Sequence, residues 1–277
     1  MSLLFQLTAI ALVLGTVVAA VGQSRGAVSR DRLARFARHH ELPITVHNGD
    51  EIIRYLAVTR RWRAAGLTAG TLVSLLYSLR SDRITVDFFA MFAGWFAGAL
   101  VAEMRLVQRQ TGSRRAASLL PRTYRRYVGR LVWALPASAL ALSVGLWLAS
   151  AVLTGRAATL VRAPFITGVA GAALAVGAVV LIRHRVVARA QPVLPPDRLA
   201  ADEAVRSRSL HVLCASGATL ALYGTLVQLG ALARSGVGHG VPLTLTGIGV
   251  VVVPVLGWQV ATAHRPVHVP AAGPETA

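Results

Sequence analysis

Asp87 and Glu103 interrupt an otherwise apolar run, and an acid inside such a run is where proton relay, ion coupling or substrate binding would be sought. They stand 16 residues apart. On a helix that spacing is about 24 Å, so one carboxylate falls near each end of a membrane span and the centre is left without an acid or base. Asp87 is one helical turn from Arg83, and Glu103 would meet arginines where neighbouring helices end: Arg60, Arg61, Arg125 and Arg126. Ion pairing at the two membrane surfaces accounts for both acids more simply than coupled transport, which usually needs ionisable groups or broken helices near the midplane. Uncharged polar side chains gather toward the end that holds Asp87: Gln6, Thr8, Ser150, Thr154, Thr167, Gln228, Thr244 and Thr246. If their helices faced one another, Asp87, Gln6, Gln228 and Thr244 would line a small vestibule. Hydrogen bonding between helices explains the same residues.

Other chemistry is excluded by what is missing. All 29 of the lysine-plus-arginine total are arginine, so a Schiff-base lysine, a pyridoxal-phosphate site, a retinal linkage and the phosphate loop ending in Gly-Lys are ruled out. Cys214 is the single cysteine, which precludes an internal disulfide or a cysteine-based zinc cluster, and its apolar context reads as packing. His39, His40, Glu41 and His47 form the one histidine-rich cluster, but their spacing matches no metal signature. No metal and no cofactor are expected. There is no Gly-x-Ser-x-Gly elbow, no catalytic carboxylate pair and no nucleotide fingerprint, so the chain is read as a non-enzyme.

The elements that must position these residues are apolar stretches of about 16 to 23 residues, long enough or nearly so to cross a bilayer as helices. The expected architecture is all-α: a polytopic transmembrane bundle of about seven spans, one N-terminal helix followed by three hairpins. The first span runs from Leu3 to Val21, within a unit of residues 1–22. Residues 23–63 form a basic amphipathic segment. It opens with a short helix capped by Ser29 that carries Leu33 and Phe36 on one side, and a second helix follows the turn-like Asn48-Gly49 with Asp50 and Glu51 in its first turn. The six-helix bundle of residues 64–263 comprises spans at Ala64–Leu79, Ile84–Met104, Leu131–Leu153, Pro164–Ile182, Leu210–Leu232 and Pro242–Ala263, and residues 264–277 are a disordered tail. The Ala64–Leu79 span is the shortest, and whether it crosses fully is open.

Charge sets the orientation. The connections at 23–63, 105–130 and 183–208, with the tail, carry 24 arginines, and the alternate connections carry five. Positive charge is retained in the cytoplasm, which places the N-terminus outside and the C-terminus inside. The formal net charge of +18 is thereby topogenic; nucleic acid is not an expected partner, since the basic residues are spread among loops. Gly66 and Gly70, with Gly94 and Gly98, have the small-residue spacing that lets two helices approach closely, and they are assigned to packing between the second and third spans.

"AEMRLVQRQTGSRRAASLLPRTYRRYVGRL" and "PPDRLAADEAVRSRSLHVL", in a lysine-free, alanine- and arginine-rich setting, are similar to stretches of uncharacterised multi-pass membrane proteins of high-GC actinobacteria. The resemblance spans about residues 60–265 and implies a bacterial cell membrane; it implies nothing about catalytic residues. The leading expectation is a non-enzymatic partner of another membrane protein, or of its own second copy, or a lipid-organising scaffold meeting anionic headgroups at the cytoplasmic face. The alternatives are a small-solute permease using the outer vestibule and a sensor whose arginine loops recruit an anionic ligand.

Overall fold

The computed structural model describes residues 10–11, 14–15, 17–22, 26–80, 87–108, 115–116, 124–188, 191–192, 195–237 and 240–263. The described parts of the N-terminal stretch are helical up to residue 22. Then follow α1 (Arg30–His40), α2 (Val46–Arg80), α3 (Phe88–Gln108), α4 (Arg130–Thr154), α5 (Ala163–Ala188), α6 (Pro196–Arg234) and α7 (Val241–Thr262). One antiparallel pairing of Arg115–Ala116 with Gln191–Pro192 is the sole sheet among the described residues. The protein is a helical membrane protein: α3 to α7 are each long and apolar enough to cross a bilayer. Gln6, Arg83, most of the first span and the tail from residue 264 lie outside the described residues.

Ser29 caps α1 by accepting a hydrogen bond from the Arg32 N–H. The helix turns Phe36, Ala37 and His40 inward, and Glu41 ends it in the left-handed conformation. Asn48-Gly49 is not a turn. Helix α2 starts earlier, at Val46, because Thr45 and Asn48 satisfy each other's backbone: the Thr45 N–H donates to Asn48 Oδ1 at 2.9 Å and the Asn48 N–H donates to Thr45 Oγ1 at 3.3 Å. Asp50 and Glu51 therefore fall beyond the first turn. The helix then passes residue 63 without interruption and reaches Arg80.

The larger difference lies at 183–208, which reads as a loop from its polarity. Helix α5 continues to Ala188 and α6 begins at Pro196, with proline at the first helical position and Asp197 in the first turn. The result is a helix of 39 residues, about 58 Å long. It is the axis of the bundle, packed against α2, α3, α4, α5 and α7 and buried on nearly every side from Ala201 to Leu232. In contrast, Leu131, Val152, Leu174, Leu243 and Val251 point outward from α4, α5 and α7, the arrangement a hydrocarbon solvent requires.

Helices α2 and α3 cross where glycine removes the side chains: a Cβ on Gly66 would lie 2.9 Å from Gly98 Cα, and one on Gly94 would lie 2.9 Å from Gly70 Cα. Both backbones are therefore in direct contact. Gly168 of α5 and Gly224 of α6 form a second close approach of the same kind.

Candidate functional site

The candidate site lies at the arginine-rich end of the bundle, where α1 folds over α2 and both meet α3, α6 and α7. Phe36 of α1 packs with Ile52 and Tyr55 of α2 and with Ala201, Ala204 and Val205 of α6. Polar ties fix the same junction: Thr45 Oγ1 donates to Asp197 Oδ2 at 2.7 Å and Arg198 Nε donates to the His47 carbonyl at 3.0 Å. These contacts hold α1 as one wall of a cavity of about 550 Å³.

The composition of that cavity is one-sided. Arg32, Arg35, Arg60, Arg63 and Arg208 line it together with His39 and His40, and no carboxylate lines it among the described residues. Apart from Thr59 and Thr262, the remainder is apolar or aromatic, including Ala20, Phe36, Leu67, Trp95 and Trp258. Arg60 donates to the carbonyls of Gly26 and Ala27, and Arg208 Nη1 donates to the Thr262 carbonyl at 3.4 Å. Arg63 is different. Its guanidinium sits 4.7 Å from the Trp95 ring centroid, and its Nε and Nη2 are shielded from solvent with no hydrogen-bond acceptor among the described residues. A cation whose N–H groups have no acceptor away from water is costly unless an anion completes it.

Behind this wall stands Glu103, fully buried. The Tyr55 hydroxyl donates to its Oε1 at 3.2 Å, Ser209 approaches the same carboxylate, and Arg63 and Arg208 lie within electrostatic reach. Burial first, and the Glu103 charge second, push the Tyr55 phenol upward, so it remains a neutral donor. Glu103 also borders a water-sized space of about 20 Å³ with Glu51, Arg54, Arg206 and Ser209.

A second polar cluster adjoins the first but is closed on itself. Arg206 pairs with Asp202 at 3.0 Å, donates to the Val186 carbonyl at 3.4 Å and lies 6.0 Å from the Tyr127 ring centroid. Arg126 meets Glu203 at 3.7 Å, and Ser207 Oγ donates to the Tyr127 carbonyl at 3.1 Å. Burial pushes the Tyr127 phenol up to about 12. This network fastens the connection before α4 to the central helix.

Of the residues singled out in the sequence, Glu103 and Arg60 border this region, Arg126 belongs to the closed network and Arg61 is exposed. The Arg125 side chain lies outside the described residues. At the opposite end, Asp87 accepts from the Phe89 N–H at 2.9 Å and caps α3, while its own N–H donates to Ser74 Oγ. Gln228 Nε2 donates to Ser143 Oγ at 3.1 Å, bridging α6 to α4. Thr244 is exposed and donates to the Gly240 carbonyl of its own helix. Each of the three is bonded locally. Sequence reasoning missed Asp202, Glu203, Arg206 and His211 as buried ionisable groups; His211 lies inside the sixth predicted span, with Nδ1 2.9 Å from the Ser207 carbonyl. It also missed Arg63, Arg208, Trp95 and Trp258 as a set. The segment "TRRWRAAG", arginine and tryptophan alternating ahead of an apolar run, was the signal that held Arg63. Among the described residues, no group of three or more histidine, cysteine or acidic side chains is placed to hold a metal ion.

No family model, curated protein or solved structure matches the chain.

Proposed function

We propose that this protein is a non-enzymatic lipid-organising scaffold of a bacterial cytoplasmic membrane, holding anionic lipid at its arginine-rich, cytoplasmic end. The observation that carries this reading is the cavity: five arginines and two histidines converge on one space with no carboxylate among its described lining residues. Trp95, Trp258 and Leu67 give the same space an apolar side. An amphiphile with a negative head fits both halves, because guanidinium groups bind phosphate in a two-pronged way while the acyl chains remain among apolar side chains. The permease alternative has less support, since Asp87, Gln228 and Thr244 each bond a nearby group and the three are not brought together in one cavity among the described residues.

The test is lipid analysis of the protein purified in mild detergent, followed by exchange into vesicles of defined composition. Enrichment of anionic over zwitterionic lipid is expected, weakened by Arg60→Gln with Arg63→Gln. Equal retention of both lipid classes by wild type and variant would remove the basis of the reading. Reporter fusions within residues 105–130 test the orientation and should report a cytoplasmic location.

A further inference from the structure

The arginines of the cavity are not evenly spread. Arg60 has Arg32 as a charged neighbour, and Arg63 has Arg208. Like charges at such positions repel, and an anion held between the members of a pair relieves that repulsion. Glu103 partly serves the inner pair from behind: Tyr55 engages its Oε1, Oε2 is left without a hydrogen-bond partner among the described residues, and one carboxylate faces both Arg63 and Arg208, while Arg63 Nε and Nη2 have no acceptor there. Arg60 Nε is likewise buried and unmatched at the outer pair. Two cationic pairs therefore face one space from different elements, each with a buried N–H left over. The space is large: liquid water takes about 30 Å³ per molecule, so 550 Å³ accommodates far more than a single phosphate.

We infer that the cavity is a site for an amphiphile bearing two phosphate groups, one received by Arg63 and Arg208 and the other by Arg32 and Arg60. This rests on the lipid reading above and narrows it. A lipid with one phosphodiester satisfies one pair and leaves the other repelling, whereas a bis-phosphate or diphosphate lipid satisfies both. His39 and His40 stand at the same wall and supply further donors to the head. Trp95 lies under Arg63 and Trp258 lines the side where an acyl chain would leave.

The experiment is native mass spectrometry of the full chain in nonionic detergent, titrated with phosphatidylcholine, phosphatidylglycerol, cardiolipin and inorganic pyrophosphate. Cardiolipin, with two phosphates, should bind about tenfold tighter than phosphatidylglycerol and at one per protein. Arg63→Gln, Arg208→Gln and Arg60→Gln should each bring cardiolipin down to the phosphatidylglycerol level, and Arg61→Gln, an equal loss of charge outside the cavity, should not. If a glutamine variant fails to fold, Arg63→Lys keeps the charge but loses the two-pronged contact, and should still reduce the preference. Pyrophosphate should displace cardiolipin weakly, as a head without its chains. Equal affinity for the two anionic lipids, or a preference untouched by all three variants, overturns the two-phosphate assignment while leaving the lipid reading in place. Phosphatidylcholine binding as well as either overturns the lipid reading itself. Pyrophosphate binding as tightly as cardiolipin replaces the lipid by a soluble diphosphate and overturns the amphiphile.

Discussion

Arg206 and Arg63 are two sheltered arginines in adjoining parts of the molecule, and their surroundings differ in kind. Arg206 has a carboxylate four residues away on its own helix, a carbonyl from α5 and an aromatic ring, all supplied by the fold. Arg63 has Trp95 and a share of a distant carboxylate, and two of its nitrogens find no acceptor. The contrast separates an arginine whose charge is paired at 3.0 Å with a carboxylate of its own helix from one that rests on an aromatic ring. A chain needing only topogenic charge has no reason to carry the second kind into a cavity, since an arginine at the surface marks orientation equally well.

Breaking the first arginine's pairing should have the largest effect. Asp202→Ala leaves the Arg206 charge buried and unanswered and should cost about 3–5 kcal/mol, read as a lowered midpoint of thermal unfolding in detergent. Replacing both partners by apolar residues of similar volume should recover most of that loss. If the single variant melted like wild type, Arg206 would not be closed in the sense argued, and the contrast would dissolve.

Arg63→Gln sharpens the comparison from the other side. In lipid-free detergent its stability should differ from wild type by no more than about 1 kcal/mol, because no acceptor is orphaned by the change. With cardiolipin present at about a hundred times its dissociation constant, wild type should gain about 2.7 kcal/mol and the variant much less, seen as the difference between two melting curves. Tyr55→Phe removes the donor to Glu103 without disturbing packing and should cost about 1–2 kcal/mol with or without lipid. Smallest is Gln228→Leu at the opposite end, where loss of the bridge to Ser143 should cost about 0.6 kcal/mol and leave lipid binding unchanged. A lipid-binding defect in that last variant would argue that the two ends are coupled.

How much of this was legible in the sequence follows from where each signal resides. Long apolar runs disclose membrane helices because hydropathy is a local property, and α3 to α7 were visible in that way. The first 14 residues of α6 were not, since Asp197, Asp202, Glu203, Arg206 and Arg208 mimic a solvated loop. Their polarity faces other polar groups inside the bundle, and only Pro195-Pro196 followed by Asp197 hinted at a helix start. Asn48-Gly49 misled for a related reason, because a turn-forming pair was overridden by its exchange of hydrogen bonds with Thr45. Arg60 and Glu103 were named in the sequence as interface residues; Arg60 lines the cavity and Glu103 is held by Tyr55 beside it, while Arg61 is exposed. That Arg63 lies over Trp95, and that α1 folds back as a wall, depends on contacts between segments far apart in the chain, which no local pattern records.

Helix α6 is enclosed by α2, α3, α4 and α5, all synthesised before it, and by α7, synthesised after it. The ribosome thus delivers the innermost rod after four of its flanking helices, into a groove that they have already shaped, and α7 then seals the remaining side. A chain truncated before Val241 would leave the flank of α6 around Leu226 and Thr219 bare to lipid. Quality-control proteases in the membrane would meet that open bundle of helices as an orphan, so the axis of this protein is enclosed only once α7 is in place.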